Sequence, residues 1–271
     1  LRKKILYFIL VFITTLLNFN STIAEKQSEK TIIMVLDELD FKDCSKIINK
    51  NLSMGLLNNK TGSSYGSIDK ESLMMTIATG RRVNIEGKTF KSIKKENNST
   101  LIKGYDQIKS KLDSSYPEFS KQIKFLGDVL KEHGIKTSYI GNSPDSLIIA
   151  DKKGRIDYWE SQVSYDLNWL NNKSNNLLKN SDVLLISYDI SNDDKRLDTL
   201  KLFLENNKNN IIVFPKSVSG DMNYRLNTTL VPILYAENNE KSGLLTSKST
   251  NRHGVVTNLD IYPTIASYYD I

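Results

Sequence analysis

The chain has 271 residues, in which 37 Lys and Arg outnumber 31 Asp and Glu to give a formal net charge of +6. The basic residues are scattered among acidic and amide side chains and form no stripe interleaved with aromatics, which argues against nucleic-acid binding. A single cysteine, Cys44, excludes an intramolecular disulfide, so the fold depends on its hydrophobic core.

The first 24 residues have the proportions of a secretory signal peptide. Basic residues at 2–4 precede an apolar, Thr-containing run at 5–17, and small residues at 22–24 form a cleavage site. Three of the six excess positive charges lie in this leader, which leaves +3 for residues 25–271. We expect export to the extracellular space or the cell surface. An uncleaved N-terminal anchor, and with it membrane association, is the alternative.

The apolar run at 31–36 ends abruptly in Asp37, Glu38 and Asp40. A short apolar run rich in β-branched residues predicts a strand that is buried on both faces. Open α/β sheets bind their ligands at the carboxyl ends of such strands. Asp37 is therefore the first candidate to contact a metal ion or a substrate. The alternative is that Asp37 and Asp40 only cap the following helix.

Strands and helices alternate over the rest of the chain. Periodicity and capping residues predict helices at 41–48, 69–78, 118–133, 166–178 and 194–205 and from Asp260 onwards, strands at 53–58, 136–140, 182–187, 210–214 and 230–235, and a hairpin at 146–158. This alternation predicts a single α/β domain at 25–271, with a mostly parallel central sheet and helices on both faces.

Residues 83–117 do not fit this alternation. The segment is rich in Lys, Asn and Ser and mostly aperiodic, and structureless loops of this length are uncommon in compact domains. We expect a surface excursion near the C-terminal edge of the sheet, either a lid or a partly disordered loop.

Several segments, in this order, resemble the alkaline phosphatase superfamily, which includes phosphatases, sulfatases, nucleotide pyrophosphatases and cofactor-independent phosphoglycerate mutases. IMVLDELD at 33–40 is similar to the strand that delivers the first metal ligand, and MTIATGRR at 75–82 to the end of the nucleophile helix. GLLTSKST at 243–250 and VVTNLDIYPTI at 255–265 are similar to a late segment of these enzymes. The resemblance implies an alkaline-phosphatase-like fold. For MTIATGRR, an ordinary helix that stops at Gly80 is the alternative.

The resemblance places the catalytic nucleophile ten residues before the Gly of the Thr-Gly pair. At that position, the helix N-terminus favours an anionic ester. Counting back from Gly80 gives Lys70, and an ammonium group cannot act as the nucleophile. Ser72 is the neighbouring hydroxyl, but it is turned by about 200° around the helix. Lys70 and Ser72 are the candidate catalytic residues.

The resemblance also implies metal ligands at Asp37, at Asp189 after the strand at 182–187, and at His253. For His253, an ordinary loop residue is the alternative. The family has an Asp-His-Gly stretch where this chain has Pro-Lys-Ser at 215–217, and Lys216 with Ser217 instead offers a site for a small anion. With two His in the chain, a zinc pair lacks nitrogen ligands. If a cofactor binds, we expect a hard divalent metal ion such as Mg²⁺ or Ca²⁺.

Three functional hypotheses follow. The first is an exported domain with a degenerate active site and a binding or structural role at the cell surface. The second is an atypical metal-dependent hydrolase of phosphate or sulfate esters. The third, compatible with either, is the extracytoplasmic part of a larger membrane protein. We favour the first, because the residues support the inherited fold better than a catalytic site.

Overall fold

A computed structural model describes residues 30–62, 69–85, 87–96, 99–190, 193–218, 229–237 and 242–271. The predicted signal peptide at 1–24 lies outside these residues. Within the described ranges, no helix has both the length and the apolar character needed to cross a bilayer.

Strands and helices alternate largely as the sequence predicts. The strands are β1 (Thr31–Glu38), β2 (Ser53–Asn58), β3 (Ser92–Glu96), β4 (Ser99–Lys103), β5 (Thr137–Ile140), β6 (Arg155–Ile156), β7 (Tyr158–Glu160), β8 (Val183–Tyr188), β9 (Asn210–Ser217), β10 (Leu230–Ala236) and β11 (Val255–Thr257). The helices are α1 (Phe41–Ile47), α2 (Lys70–Thr79), α3 (Tyr105–Ser115), α4 (Pro117–Ser120), α5 (Leu126–Glu132), α6 (Leu167–Leu178), α7 (Asp194–Asn206) and α8 (Ile261–Ser267), with 3₁₀ turns at Pro144–Ile148 and Asn258–Asp260.

Eight strands form the central sheet in the order β11-β2-β10-β9-β1-β8-β5-β7. All neighbours are parallel except β10, which runs antiparallel to both β2 and β9. β1 lies in the middle of the sheet between β8 and β9, as its unbroken apolar sequence requires. The predicted fold class, an α/β domain with a mostly parallel sheet, is confirmed.

Helices cover both faces of this sheet. On one face, Ile33 and Val35 of β1 pack in a core to which α2, α5 and α8 contribute. On the other face, Ile32 and Met34 pack against α1, α6 and α7. Cys44 of α1 is buried in this second core, and burial raises the pKa of its thiol to about 11. An unreactive, structural cysteine is the consequence.

The expectation of a structureless excursion at 83–117 is wrong for most of that segment. β3 and β4 pair as a hairpin, β6 adds a third strand, and α3 follows. Ile93, Ile102 and Ile108 carry this small sheet and α3 into the first core. The carboxylate of Glu71 in α2 is buried and accepts the backbone N–H groups of Thr89 and Phe90, at 2.8 and 2.7 Å. The carboxylate of Glu71, which is distant in the sequence, therefore fixes the start of the segment that leads into β3.

The predicted helix at 118–133 is confirmed only in part, because α4 ends at Ser120 and α5 begins only at Leu126. The apolar spacing continues across the break, but tertiary contacts fix α5 separately. A Cβ on Gly127 would lie 2.3 Å from the carbonyl oxygen of Ala150, so this helix packs directly on backbone. Phe125 and Leu126 are buried at its start.

The predicted hairpin at 146–158 is replaced by a 3₁₀ turn. Ser143 begins the turn with a side-chain oxygen that accepts the N–H of Asp145 at 3.2 Å, and Pro144 takes the first position, where its missing N–H has no cost. β6 pairs with β4 in the small sheet instead of forming the predicted hairpin. The 3₁₀ turn matters for function because it contains Asp145, whose side chain is buried.

Candidate functional site

Four polar side chains meet at the C-terminal edge of the central sheet. The strands β8, β1 and β9 are adjacent and parallel, so their carboxyl ends lie side by side. Three of the side chains lie near the ends of these strands, and the fourth comes from the 3₁₀ turn after β5. We call this group the strand-end cluster: Asp37, Ser187, Lys216 and Asp145.

The ammonium of Lys216 lies between two carboxylates. Its Nζ is 2.5 Å from Oδ1 of Asp37 and 3.0 Å from Oδ2 of Asp145. The Lys216 side chain is 6% exposed, and that of Asp145 is fully buried. Burial by itself lowers the pKa of Lys216, but the charges and hydrogen bonds of Asp145 and Asp37 outweigh it and raise that pKa above its ordinary value of 10.5. Lys216 is therefore a buried cation at physiological pH.

Asp37 responds in the opposite direction. Burial raises the pKa of its carboxyl, but hydrogen bonds and charge from Lys216 and Lys70 lower it below the ordinary value of 3.8. Lys70, the predicted nucleophile position, lies on the outer side with its Nζ 3.6 Å from Oδ1 of Asp37 and its side chain 59% exposed. Asp37 is therefore ionised and contacts two ammonium groups, one buried and one at the surface.

A hydroxyl network holds Asp145 in place. Ser187 donates to Oδ2 of Asp145 at 2.6 Å, and its Oγ lies 2.7 Å from the hydroxyl of Tyr139 and 3.0 Å from Oγ of Ser143. Gly141, at φ 137°, leaves room for this arrangement, since a Cβ there would lie 2.6 Å from the Tyr139 hydroxyl. Oδ1 of Asp145 is buried and has no hydrogen-bond partner among the residues described.

Ser72, the other predicted catalytic residue, makes its hydrogen bonds elsewhere. It is fully buried, donates to Oδ2 of Asp69 at 2.8 Å and accepts the N–H of Ile85 at 2.8 Å. Asp69 is the N-cap of α2 and also accepts the N–H of Ser72. A carboxylate of the chain itself therefore occupies the helix N-terminus, where the resemblance implies a bound ester.

Of the two other predicted metal ligands, Asp189 lies beside Asp37, because it follows Tyr188, which pairs with Leu36. Its carboxylate is nevertheless paired with another residue, and His253 lies elsewhere in the fold. Asp189 pairs with Arg196 at 2.9 Å, and that guanidinium lies 3.8 Å from the centre of the Tyr165 ring. His253 precedes β11, so it lies at the N-terminal edge of the sheet, at the opposite end from Asp37. The strands β2, β10 and β9 also lie between β11 and β1, which carries Asp37. Across the described parts of the chain, no group of three or more His, Cys, Asp or Glu side chains could hold a metal ion.

The donor set at the sheet edge does not fit a divalent metal ion. Two carboxylates and a hydroxyl converge, which are ligands that hard cations prefer. The ammonium of Lys216 already occupies the space between the carboxylates, and a second cation there would meet its charge at short range. A metal ion at this point would have to displace Lys216.

Sequence reasoning missed Asp145, Ser187, Tyr139 and Ser143. Ser187 lies near the end of a predicted buried strand, so the strand-end rule that selected Asp37 was sufficient to find it. Asp145 carries no comparable signal, because its burial depends on Lys216, Ser187 and the 3₁₀ turn.

The structure is similar to that of alkaline phosphatase from the Antarctic bacterium TAB5, with a TM-score of 0.50 and 12% identity over 90% of this chain and 98% of that chain. Murine ectonucleotide pyrophosphatase/phosphodiesterase 5 matches with a TM-score of 0.44 and 10% identity, over 90% of this chain and 95% of that chain. Cofactor-independent phosphoglycerate mutase from Thermoplasma acidophilum gives 0.42 and 8%, over 88% and 99%.

No protein-family model matches the sequence, and a comparison with curated proteins finds no match. At identities this low, the likeness shows the fold alone. The resemblance to the alkaline phosphatase superfamily is confirmed at that level.

Proposed function

We propose that this chain, which has the fold of the alkaline phosphatase superfamily, is a non-hydrolytic domain with a binding or structural role at the cell surface. The observation that carries the proposal is the ammonium of Lys216 between the carboxylates of Asp37 and Asp145. In a metal-dependent esterase, a metal ion at such a site polarises the ester and stabilises the attacking and leaving oxygens. An ammonium has no coordination sites to offer, and here it donates to the carboxylates.

The position of the nucleophile supports the same conclusion. Lys70 lies beside Asp37, where a charged ammonium has no lone pair for attack. Ser72 is buried and bonded to Asp69 and Ile85, so its hydroxyl has no access to an ester in solvent. The Asp69 carboxylate at the start of α2 repels an anionic substrate from the helix N-terminus. Attack, substrate binding and metal activation are each replaced by an internal contact.

The location rests on the leader. Residues 1–24 predict export, and an exported domain without hydrolytic chemistry acts by binding or by supporting structure. The strand-end cluster then has a structural role, since its charges are paired within the domain. An extracytoplasmic part of a larger membrane protein is compatible with this function.

The test measures metal content and turnover of the purified full chain. We expect no stoichiometric zinc, magnesium or manganese, and no hydrolysis of aryl phosphates, phosphodiesters or sulfates above the level of a Lys70→Ala variant. Metal-dependent turnover that disappears in Asp37→Asn would reject the proposal and establish a hydrolase. Both substitutions change partly exposed side chains, so the variants are expected to fold.

A further inference from the structure

The small sheet formed by β3, β4 and β6 has one buried face and one exposed face. Ile93 and Ile102 pair across β3 and β4 and are buried in the first core. One residue further along each strand, the side chains point outward. The strand register places Lys94, Leu101 and Arg155 in one row across the three strands on this outer face.

The outer face is strongly positive. We call it the cationic sheet face, and its charged members are Lys94, Lys103 and Arg155, with Lys152 and Lys153 in the turn that leads into β6. Glu96 is the acidic residue of β3, and it pairs with Lys103 at 2.5 Å. The pKa of Glu96 is lowered, first by its bond to Lys103 and also by the charges of Arg155 and Lys94. Several cations therefore surround one carboxylate.

Lys94 and Arg155 act on Glu96 only through longer-range charge attraction. Both side chains are exposed, and neither forms a hydrogen bond or salt bridge with another residue that the structure describes. Between 88 and 111 the sequence holds seven Lys against Glu96 and Asp106, which exceeds the net charge of the whole exported part. The net positive charge of the exported part is thus concentrated in residues 88–111, which include β3 and β4 of the small sheet.

The residue types on the cationic sheet face indicate which class of partner it binds. It carries no aromatic side chain among its described members, and single-stranded nucleic acids are bound mainly by stacking on aromatics. Four of the five cations on the face are Lys, which is depleted in the interfaces between proteins. A row of exposed cations on either side of the half-exposed Leu101 instead matches the phosphate headgroups of an anionic bilayer. Each Lys or Arg near an anionic bilayer adds to the electrostatic attraction.

We propose that the cationic sheet face docks the domain on a bilayer surface rich in anionic phospholipid. The residues differ from those of the strand-end cluster, so this proposal does not depend on the absence of hydrolysis. The attraction is electrostatic and is therefore screened by salt.

The test is co-sedimentation of the purified full chain with vesicles. We expect binding to vesicles of phosphatidylcholine with roughly one third phosphatidylglycerol, and at least about tenfold weaker binding to phosphatidylcholine alone. Binding should fall steeply between low salt and about 0.5 M salt. The double variant Lys94→Glu/Arg155→Glu should lose at least about tenfold in binding to the anionic vesicles.

The matched control is Lys195→Glu/Lys208→Glu, which makes the same change in net charge. Lys195 lies on α7 and Lys208 just after it, and α7 packs on the opposite face of the central sheet. This control should keep at least half of the wild-type binding. Equal loss in both variants, or equal binding to both vesicle types, would overturn the proposal. So would soluble polyphosphate that displaces the chain from vesicles at equal phosphate concentration, which would assign the face to a polyanion in solution. Circular dichroism verifies that both variants are folded.

Discussion

Basic residues have opposite roles in the strand-end cluster and on the cationic sheet face. Lys216 is 6% exposed and contacts two carboxylates of the chain itself. Lys94 and Arg155 are exposed and form no salt bridge with any other described residue. The charge of Lys216 is neutralised internally and holds three segments together, while the exposed charges remain available to a partner. For these three cations, burial and contact with carboxylates, rather than residue type, separate the two roles.

The strongest way to break this comparison is to remove the buried cation. Lys216→Ala leaves Asp145 buried without its counterion, so we expect the free energy of unfolding to fall by roughly 3–5 kcal/mol. Urea denaturation measures the change. The double variant Lys216→Met/Asp145→Leu leaves no unpaired buried charge and should recover most of the loss. A single-variant effect below about 1 kcal/mol would show that Lys216 does not hold the cluster together.

The pH dependence sharpens the same point. The pKa of Lys216 is raised by folding, so its contribution is complete below 10.5 and is lost as pH rises through the folded value. The pKa of Asp37 is lowered, so its contribution is present above 3.8 and is lost as pH falls through the folded value. The stability difference between wild type and Lys216→Met should therefore be largest between these limits and shrink outside them. A difference that stays constant from pH 2 to pH 11 in urea titrations would contradict this.

The buried carboxylate of Glu71 in α2 joins that helix to the segment that leads into β3 of the small sheet. Glu71→Ala removes the acceptor for Thr89 and Phe90 and leaves their N–H groups unpaired, so we expect a loss of about 2–3 kcal/mol in unfolding free energy. Thr89→Val removes the hydroxyl alone and serves as the smaller control. If both variants lose the same amount, the carboxylate does not anchor the segment.

The predictable part of the site follows local rules. β1 with Asp37, and α2 with its Asp69 cap, could be read from an apolar run and a capping residue, because each signal lies within a few positions. The sequence predicts Lys216 at a strand end with an external anion as its ligand. In the structure, the carboxylates of Asp37 and Asp145 contact Lys216 instead. Asp145 depends on a turn that looked like a hairpin strand, so no local pattern marks it as a buried carboxylate.

A smaller effect is expected from the hydroxyl network. Tyr139→Phe keeps the buried ring and removes the hydroxyl that contacts Ser187 and Ser143, which should reduce the unfolding free energy by about 1 kcal/mol. Ser143→Ala is the companion variant, with an effect of the same order because it also removes the cap of the 3₁₀ turn. Thermal or urea unfolding measures both. An effect above about 3 kcal/mol would mean that the network, and not Lys216, fixes Asp145.

The smallest effect on stability should come from the cationic sheet face. Lys94→Ala and Arg155→Ala each remove an exposed charge whose attraction to Glu96 is screened by solvent, so the unfolding free energy should change by no more than about 0.5 kcal/mol. The matched comparison is Lys216→Ala, the same type of substitution at a buried site. If Lys94→Ala destabilised the chain as strongly as Lys216→Ala, the exposed cations would also be structural, and burial would not separate the two roles.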